Sequence, residues 1–581
     1  MLHRQRILGV ATAAAAGLYL IPFVDRGWIP HDEGMLGQSA DRVLHGAIPF
    51  IDYEEAYSGG LSWLYALVFR IRGVDLLNVR WLMYGLACAV VWLVYVMARR
   101  YLGPIGAAIA AWVALVWSVP NYFAGLPSWW LLLCALASLW AMVRFAETSR
   151  RRYLVLAGLS AGLALAVKQT GLYLAIAVVT TITFASGPLL VRWAVAAAAV
   201  VSALGLLAPR ILHPEGFYLF CPVAACALTL VVPDAPDREP TRRSLLPVVI
   251  VVTAMAIPVA LLVSPYLVRG RLWDFVNGAV LLPQKRLAFA SAPMYATWFA
   301  LAGVPAMALA WLDLRGLRTR SRAAFTVLWT AAIVLPVAAL VNVASYQVIW
   351  QSTRAVAAFL PIAICFLLAT GRVAQPPQRI VLFACGACLA WLSLNQYPFA
   401  APIYFTYVTP LAVVAAVAVA GRDDADRRDA MLPWAVLLIM FGVLSANRGY
   451  IENLGVDHQV RRFDAPLDLP RAHLRVGDGE ARAYRALAAS IGTHFRGGRL
   501  VAGPDCPEVY FLSGLVSPSG ALFDFFSESA EEDLTRWTTA DVIVVNHEPH
   551  FTPRPSEAAM TALRREFAHG EDIGRFEIRW R

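Results

Sequence analysis

Long apolar runs separated by short polar breaks are the feature of this sequence that most restricts its fold. A helix of about 20 apolar residues crosses the hydrocarbon core of a bilayer, and about fifteen runs of 15–23 residues approach that length within residues 1–446. Charged residues make up only 15% of the chain, against about 25% in a typical soluble domain. The pattern excludes an ordinary soluble enzyme and predicts a mainly α-helical polytopic membrane protein.

Arginine-rich loops orient the predicted spans. From residue 150 onward these loops alternate with loops that contain few basic residues, and they lie at residues 150–152, 238–243, 315–322, 372–379 and 422–428. Because positively charged loops remain in the cytoplasm, this pattern places the N-terminus inside and the C-terminal tail outside, in the periplasm of a bacterial inner membrane. The same loops account for the net charge of +10 without a nucleic-acid partner.

The predicted sidedness requires an odd number of spans, about fifteen, although sixteen candidate segments are present. Either the segment 58–71, which is short and begins Ser-Gly-Gly, does not cross, or the runs 104–119 and 126–146 are divided wrongly. The first loop, residues 25–57, is then external, as is the later loop 344–352. The later predicted spans include 296–312, 353–370 and 400–420.

The tail, residues 447–581, is polar enough for a small external α/β domain. Helices are predicted at residues 480–495 and 506–513, and strands at 499–504 and 541–546. No Gly-rich phosphate loop follows either strand, so a supporting or recognition role is expected rather than a second active site.

Acidic residues are concentrated in the first external loop. Between residues 58 and 446 every carboxylate lies in a predicted loop or at a span end, which argues against a proton-coupled transporter. In the first loop, Asp32 and Glu33 precede an amphipathic segment, residues 35–45, that is predicted to form a helix along the membrane surface. Asp32 could alternatively act as the cap of this helix.

The order of motifs in this region resembles the first loop of polytopic glycosyltransferases with the GT-C fold. An Asp-Glu-Gly motif at Asp32 is followed by the surface helix, by a Gly-x-x-Pro-aromatic-x-Asp motif at 46–52 and by a membrane helix. The segments 76–80 and 158–171 also fit. The pattern is most similar to the family 39 type, which includes protein O-mannosyltransferases and the lipid A aminoarabinose transferase, and the resemblance covers about residues 1–190.

This resemblance implies an inverting transfer of a sugar from a polyprenyl-phosphate-linked donor to a lipid, glycan or protein acceptor at the outer face of the membrane. It implies that Asp32 or Glu33 is the general base that takes the proton of the acceptor. Asp52 and Glu55 are expected to orient the acceptor or to help hold a cation. No cofactor is certain, but a divalent cation, Mg²⁺ or Mn²⁺, would be held by Asp32 and Glu33.

Two lysines stand among 49 basic residues, Lys168 and Lys285. Both are predicted at external ends of spans, where Gln169 and Arg286 follow them. Such side chains are expected to bind the leaving phosphate, with snorkelling toward lipid headgroups as the alternative. The lipid A transferase type carries a Lys near the start of its second span, where this chain has Ser and Gly, so the phosphate contact must come from elsewhere.

Tyr397 belongs to an aromatic-rich external junction at residues 395–405. Its ring is expected either to line a groove for the sugar or the lipid or to belong to the interfacial aromatic belt.

Two other functions are compatible with a membrane protein of this kind. A lipid-linked-sugar translocase or another transporter typically has internal repeats or helices broken at mid-membrane, and Pro258, Pro336 and Pro361 do interrupt predicted spans. An O-antigen ligase or polymerase would share the donor but would carry its catalytic loop late in the chain. For the glycosyltransferase the expected partners are a polyprenyl-phosphate-linked sugar and membrane lipid.

Overall fold

In a computed structural model, the chain is described for residues 2–232, 244–283, 322–339, 342–373, 375–421, 432–448, 463–518, 520–522 and 537–581. Eight helical segments in these ranges are long and apolar enough to cross a membrane, and further apolar helices of 10–17 residues accompany them. A small mixed domain follows residue 463. The predicted fold class, a multi-pass α-helical bundle with an α/β tail, is confirmed.

The helices that precede the tail are numbered in chain order. They are α1 (Leu2–Val24), α2 (Pro30–Leu44), α3 (Gly60–Arg72), α4 (Leu76–Ala98), α5 (Pro104–Val116), α6 (Pro127–Thr148), α7 (Arg152–Val167), α8 (Gly171–Ser186), α9 (Leu189–Leu207), α10 (Pro214–Val231), α11 (Leu246–Val268), α12 (Leu272–Val276), α13 (Arg322–Ala338), α14 (Val343–Ala369), α15 (Pro376–Ser393), α16 (Pro402–Thr406), α17 (Thr409–Ala420) and α18 (Leu432–Arg448). The 3₁₀ segments are Val119–Tyr122, Ala208–Arg210 and Leu394–Gln396, and a π-helical turn, Asn277–Leu281, follows α12.

Helix α3 is too short to cross a bilayer as a straight helix. Its 13 residues extend about 20 Å at 1.5 Å per residue, whereas a hydrocarbon core is about 30 Å thick. It packs against α2, and its Phe69 stacks on Phe511 of the tail with ring centroids 6.1 Å apart. This geometry supports the expectation that the segment 58–71 does not cross.

Two other predicted boundaries differ from the structure. Residues 344–352, predicted as an external loop, form the start of α14, because the Asn342 side chain accepts hydrogen bonds from the backbone nitrogens of Ala344 at 2.9 Å and Ser345 at 3.3 Å and thereby caps the helix. The predicted span 400–420 is divided into α16 and α17. The predicted span 296–312 lies outside the described residues.

The tail folds around a four-stranded sheet in the order β3-β4-β6-β5, with β3 parallel to β4 and the other pairs antiparallel. A short antiparallel pair, β1 and β2, precedes it. The elements are β1 (Ala465–Pro466), β2 (Arg475–Val476), α19 (Asp478–His494), β3 (Leu500–Gly503), α20 (Pro507–Ser513), β4 (Val542–Asn546), α21 (Glu557–Glu566), β5 (His569–Ile573) and β6 (Phe576–Trp580). All four predicted elements of the tail are confirmed.

The tail is packed directly on the first loop. A Cβ atom on Gly34 of α2 would lie 2.5 Å from the backbone nitrogen of Glu508, so the two backbones approach as closely as glycine allows. Arg471 donates to Asp41 of α2 at 2.8 Å. The first loop and the tail therefore occupy the same face of the helical bundle.

Candidate active site

Helix α2 carries both candidate bases in its first turn. Pro30 occupies the first helical position, where its missing N–H costs nothing, and the two carboxylates complement the positive end of the helix dipole. The cap residue is Ile29, whose backbone nitrogen donates to Glu33 Oε2 at 2.9 Å. Asp32 therefore lies inside the helix and does not cap it.

Glu33 is fully engaged by Arg80 of α4. Arg80 Nε donates to Glu33 Oε1 at 2.8 Å and Nη2 donates to Oε2 at 2.7 Å, and the two side chains are 1% and 3% exposed. Arg80 Nη1 also donates to the carbonyl oxygen of Arg26 at 3.2 Å. A bidentate guanidinium occupies the oxygens that a general base would use, so Asp32 is better placed than Glu33 for proton transfer.

Asp32 lies next to aromatic residues of the membrane domain. The Tyr122 hydroxyl donates to Asp32 Oδ2 at 2.7 Å. Tyr122 ends the 3₁₀ segment Val119–Tyr122, and Trp129 Nε1 donates to its backbone carbonyl oxygen at 3.0 Å, which holds the backbone that carries the ring. The nearer ring nitrogen of His31, Nε2, lies 3.8 Å from Asp32 Oδ2. The carboxylate is 17% exposed and thus accessible in part.

Lys168 follows the end of α7 and is buried. Its Nζ donates to Ser128 Oγ at 2.7 Å and lies 5.8 Å from the ring centroid of Tyr57 and 5.7 Å from that of Tyr404. Hydroxyl and ring-face contacts of this kind stabilise an ammonium group without neutralising its charge. Lys168 therefore provides a compact positive charge that an anion could approach.

Tyr404 and Tyr407 connect this lysine with Asp32. Their ring centroids are 5.8 Å apart, and the Tyr407 hydroxyl lies within hydrogen-bonding reach of Ser128 and within electrostatic range of Asp32. A carboxylate, an ammonium group and several phenols thus share one site. We call this group the Asp32–Lys168 cluster, and its members are Asp32, Tyr57, Tyr122, Ser128, Lys168, Tyr404 and Tyr407.

Gln169 extends the cluster beyond the lysine. Its side chain is half-buried, and its amide nitrogen has no hydrogen-bond partner within the described parts of the chain. A buried donor in this state is costly unless a ligand or water satisfies it, which suits a binding site. The two other predicted phosphate contacts, Lys285 and Arg286, lie outside the described residues.

Asp52 and Glu55 hold the shape of the first loop. Asp52 is exposed and its Oδ2 accepts from the backbone nitrogen of Ile48 at 2.7 Å. Glu55 is buried, and its Oε2 accepts from Ser39 Oγ and from Ser62 Oγ, the latter at 2.6 Å. Burial raises the pKa of Glu55, and these hydrogen bonds oppose that shift. Asp52 has no described contact with the cluster, whereas Glu55 Oε1 accepts from the backbone nitrogen of Tyr57, a member of the cluster, at 3.3 Å.

Tyr397 is 9% exposed and lies close to Tyr173 of α8. The adjacent Gln396 accepts from Arg354 Nε at 2.7 Å, and the Tyr218 hydroxyl donates to the Arg354 carbonyl oxygen at 2.7 Å. Arg354 is 3% exposed within α14, so it is a cation buried in the helical bundle.

Sequence reasoning missed several residues of the site. Tyr122 lies between two apolar runs and Ser128 at the start of the second, without an ionisable neighbour to mark them, and Arg354 lies at the start of the predicted span 353–370. Tyr404 belonged to the predicted aromatic junction and Arg80 to a motif of the resemblance, so a signal was present for those two. Contacts across the fold, rather than local spacing, define the roles of all five.

The first loop offers few side-chain ligands to a divalent cation. Glu33 is compensated by Arg80, and the two other predicted carboxylates of the loop are hydrogen-bonded within it. In the described part of the site Asp32 and His31 remain, with ligand atoms 3.8 Å apart. Two side-chain ligands do not enclose a cation, and Mg²⁺ held by so few protein groups takes its remaining ligands from substrate phosphates and water.

A second group of potential ligands lies in the tail. One ligand atom each of His547, Asp572 and Glu577 fall within 4.8 Å of one another. Glu577 already pairs with Arg564 at 2.8 Å and with Arg579 at 3.0 Å, and these guanidinium groups repel a cation. This group is better described as a charge network that supports the sheet.

A comparison with known protein families gives a match to part of the chain. A family model described as dolichyl-phosphate-mannose-protein mannosyltransferase matches residues 60–213, just after the first loop. No curated protein sequence matches significantly. This match confirms, over its length, the predicted resemblance to GT-C glycosyltransferases of the O-mannosyltransferase type.

Two solved structures align with most of this chain. The oligosaccharyltransferase of Archaeoglobus fulgidus, solved with Zn and sulfate, aligns with a TM-score of 0.43 and 11% identity over 92% of this chain and 68% of its own. ArnT from Cupriavidus metallidurans, bound to undecaprenyl phosphate, aligns with a TM-score of 0.37 and 12% identity over 99% of this chain and 97% of its own.

Proposed function

We propose that this chain is an inverting glycosyltransferase that moves a sugar from a polyprenyl-phosphate donor to a lipid, glycan or protein acceptor at the outer face of a bacterial inner membrane. The observation that carries the proposal is the Asp32–Lys168 cluster, which brings a partly exposed carboxylate and a buried ammonium group to one tyrosine-lined site. The matched family is named for mannose transfer from a dolichyl phosphate, which supports this class of reaction.

Asp32 takes the proton from the hydroxyl or amine of the acceptor as that atom attacks the anomeric carbon. The bond between this carbon and the phosphate oxygen breaks, and its electron pair leaves with the lipid phosphate. Lys168 compensates the charge of the phosphate, and the Gln169 amide supplies a further donor. Because the attack comes opposite the leaving phosphate, the anomeric configuration inverts.

The Asp32→Asn variant tests the role of the base. General-base catalysis typically contributes about 10²- to 10⁴-fold, so we expect sugar transfer from a polyprenyl-phosphate donor to fall by at least about 100-fold at an unchanged protein level. Asp52→Asn, which changes an exposed carboxylate of the same loop, is the matched control and should retain activity. Full activity of Asp32→Asn would remove the proposed base.

Assaying the purified protein in detergent separates the transferase from a translocase. A translocase moves its lipid-linked substrate from one side of a membrane to the other, so its activity cannot be observed without a sealed membrane. In detergent, only a transferase therefore forms glycosylated product. Absence of product in detergent, together with flipping of the donor in sealed vesicles, would contradict the proposal.

We further propose that transfer proceeds without a divalent cation, because Arg80 rather than a metal ion compensates Glu33. Membranes treated with EDTA should therefore keep their transfer activity. A loss of activity that Mg²⁺ or Mn²⁺ restores would contradict this expectation and would return Asp32 and Glu33 to the role of ligands.

A further inference from the structure

The loop that follows β4 brings two residues of the tail against the first turn of α2. The His550 ring lies parallel to the ring of His31, with centroids 4.4 Å apart and an interplanar angle of 17°. Phe551 meets the same His31 ring edge-on, at 5.5 Å and 89°. His31 is thus held between residues of another domain.

Asp505 fixes the position of this loop. It is 2% exposed, and its Oδ2 accepts from the backbone nitrogens of Phe551 at 2.7 Å and Thr552 at 2.6 Å, while Oδ1 accepts from Thr552 Oγ1 at 2.8 Å. Asn546 Nδ2 also donates to the carbonyl oxygen of Pro504 at 3.0 Å. A buried carboxylate with three hydrogen bonds leaves the loop little freedom.

His31 in turn borders the carboxylate of Asp32. Burial lowers the pKa of His31 to about 4, against an opposing influence of Asp32, and burial also lowers the pKa of His550. The two rings therefore stack as neutral imidazoles near neutral pH, without the repulsion that two imidazolium ions would have. Asp32 and Arg575 are the charged groups that act on both rings, and Asp505 also acts on His550.

We propose that the C-terminal domain completes the catalytic site, with His550 as a positioning residue that holds His31 and thereby the first turn of α2 and the Asp32 carboxylate. This inference rests on the proposed function of Asp32 as the base. According to this inference, the tail contributes directly to sugar transfer. A tail that only supports the fold would not need the His550 ring against His31.

Docking of the tail does not depend on the histidine stack. Close packing of Gly34 on Glu508 and the ion pair between Arg471 and Asp41 also hold α2 against the tail. Removal of the His550 ring should therefore leave the tail in place and change only the first turn of α2.

The test compares His550→Ala, His550→Phe and His494→Ala in the full-length purified enzyme. A stacked aromatic pair contributes about 0.5–1.5 kcal/mol, so we expect His550→Ala to lower kcat by roughly 3- to 10-fold. KM for the donor and the thermal unfolding temperature should stay near the wild-type values. His550→Phe keeps a flat ring and should restore most of kcat.

His494→Ala is the matched control, because it removes a histidine that stacks on Trp580 within the tail, with ring centroids 3.5 Å apart. It should leave kcat unchanged. An unchanged kcat in His550→Ala, or a defect in His550→Phe as large as in His550→Ala, would overturn the inference. Asp32→Asn assayed in parallel separates the two proposals: if it is active, the proposed function fails, and if it is inactive while His550→Ala is normal, only this inference fails.

Discussion

Asp32 and Glu33 are neighbours with opposite environments. Glu33 is buried in a bidentate ion pair, and its charge is compensated by Arg80. Asp32 is partly exposed and accepts a hydrogen bond from a phenol that remains neutral. The guanidinium of Arg80 takes both oxygens of Glu33, whereas Tyr122 donates to a single oxygen of Asp32, so one of two adjacent acids can accept a proton while the other supports the fold.

Tyr122→Phe removes the hydrogen bond that orients Asp32. A hydrogen bond to a charged group contributes about 1.5–3 kcal/mol, so we expect kcat to fall by roughly 10- to 100-fold with little change in KM for the donor. Steady-state kinetics would measure this. Tyr65→Phe is the matched control, since the Tyr65 hydroxyl donates to the carbonyl oxygen of Gly125 at 2.6 Å rather than to Asp32. Equal kcat values for the two variants would contradict a role for Tyr122.

The main effect of Glu33→Gln should be a loss of protein stability rather than a direct loss of catalysis. Breaking a buried ion pair by removing one charge typically costs about 3–5 kcal/mol, because the remaining charge stays buried. Thermal unfolding in detergent should therefore show a marked loss in Glu33→Gln and a partial recovery in the double variant Glu33→Gln with Arg80→Met. A Glu33→Gln variant that is as stable as the wild type but inactive would instead make Glu33 the base.

For single residues, the sequence indicated which side chains belong to the site but not what each of them does there. The pair Asp32 and Glu33, and the rare Lys168, could be found because acidic and lysine residues are scarce in this chain. Their partners could not, since Arg80 lies 47 residues from Glu33 and Tyr122 lies 90 residues from Asp32. Only packing of the helices determines which acid meets a guanidinium and which meets a phenol.

Helix α2 connects the membrane domain with the tail. Its predicted amphipathic segment is confirmed, but the helix starts at Pro30 rather than at residue 35, so it includes both acids. Apolar periodicity cannot detect this start, because the first turn contains proline, histidine and acids. The close contact between α2 and α20 could not be predicted from the sequence either, because it depends on the absence of a side chain at Gly34.

Gly34→Ala should separate helix α2 from helix α20 of the tail. The new Cβ would lie 2.5 Å from the backbone nitrogen of Glu508, and because that contact is with backbone, no side-chain rotation relieves it. We expect a lower unfolding temperature and faster proteolysis of the tail. Gly85→Ala in α4 is the control, since a Cβ there meets no atom within 4 Å. A Gly34→Ala variant as resistant as Gly85→Ala would contradict the observed packing.

For the whole molecule, contact between the first loop and the tail restricts the number of membrane crossings. Since both lie on one face of the bundle, the chain between them must cross the membrane an even number of times, and α1 adds one crossing. The total is then odd, in agreement with the arginine pattern of the loops. The sequence predicted this sidedness from charge, whereas the docking of the tail depends on surface shape and could not be predicted.

Cysteine labelling from outside the cell tests this arrangement. We expect a membrane-impermeant maleimide to modify His45→Cys in the first loop and Thr561→Cys in α21 in intact spheroplasts, since both positions are exposed. Arg151→Cys, at an exposed position in a predicted cytoplasmic loop, should react only after permeabilisation. The wild type provides the background, because its eight cysteines are buried or half-buried. Labelling of Arg151→Cys in intact spheroplasts, or protection of Thr561→Cys, would reverse the topology and remove the tail from the side at which the acceptor is expected.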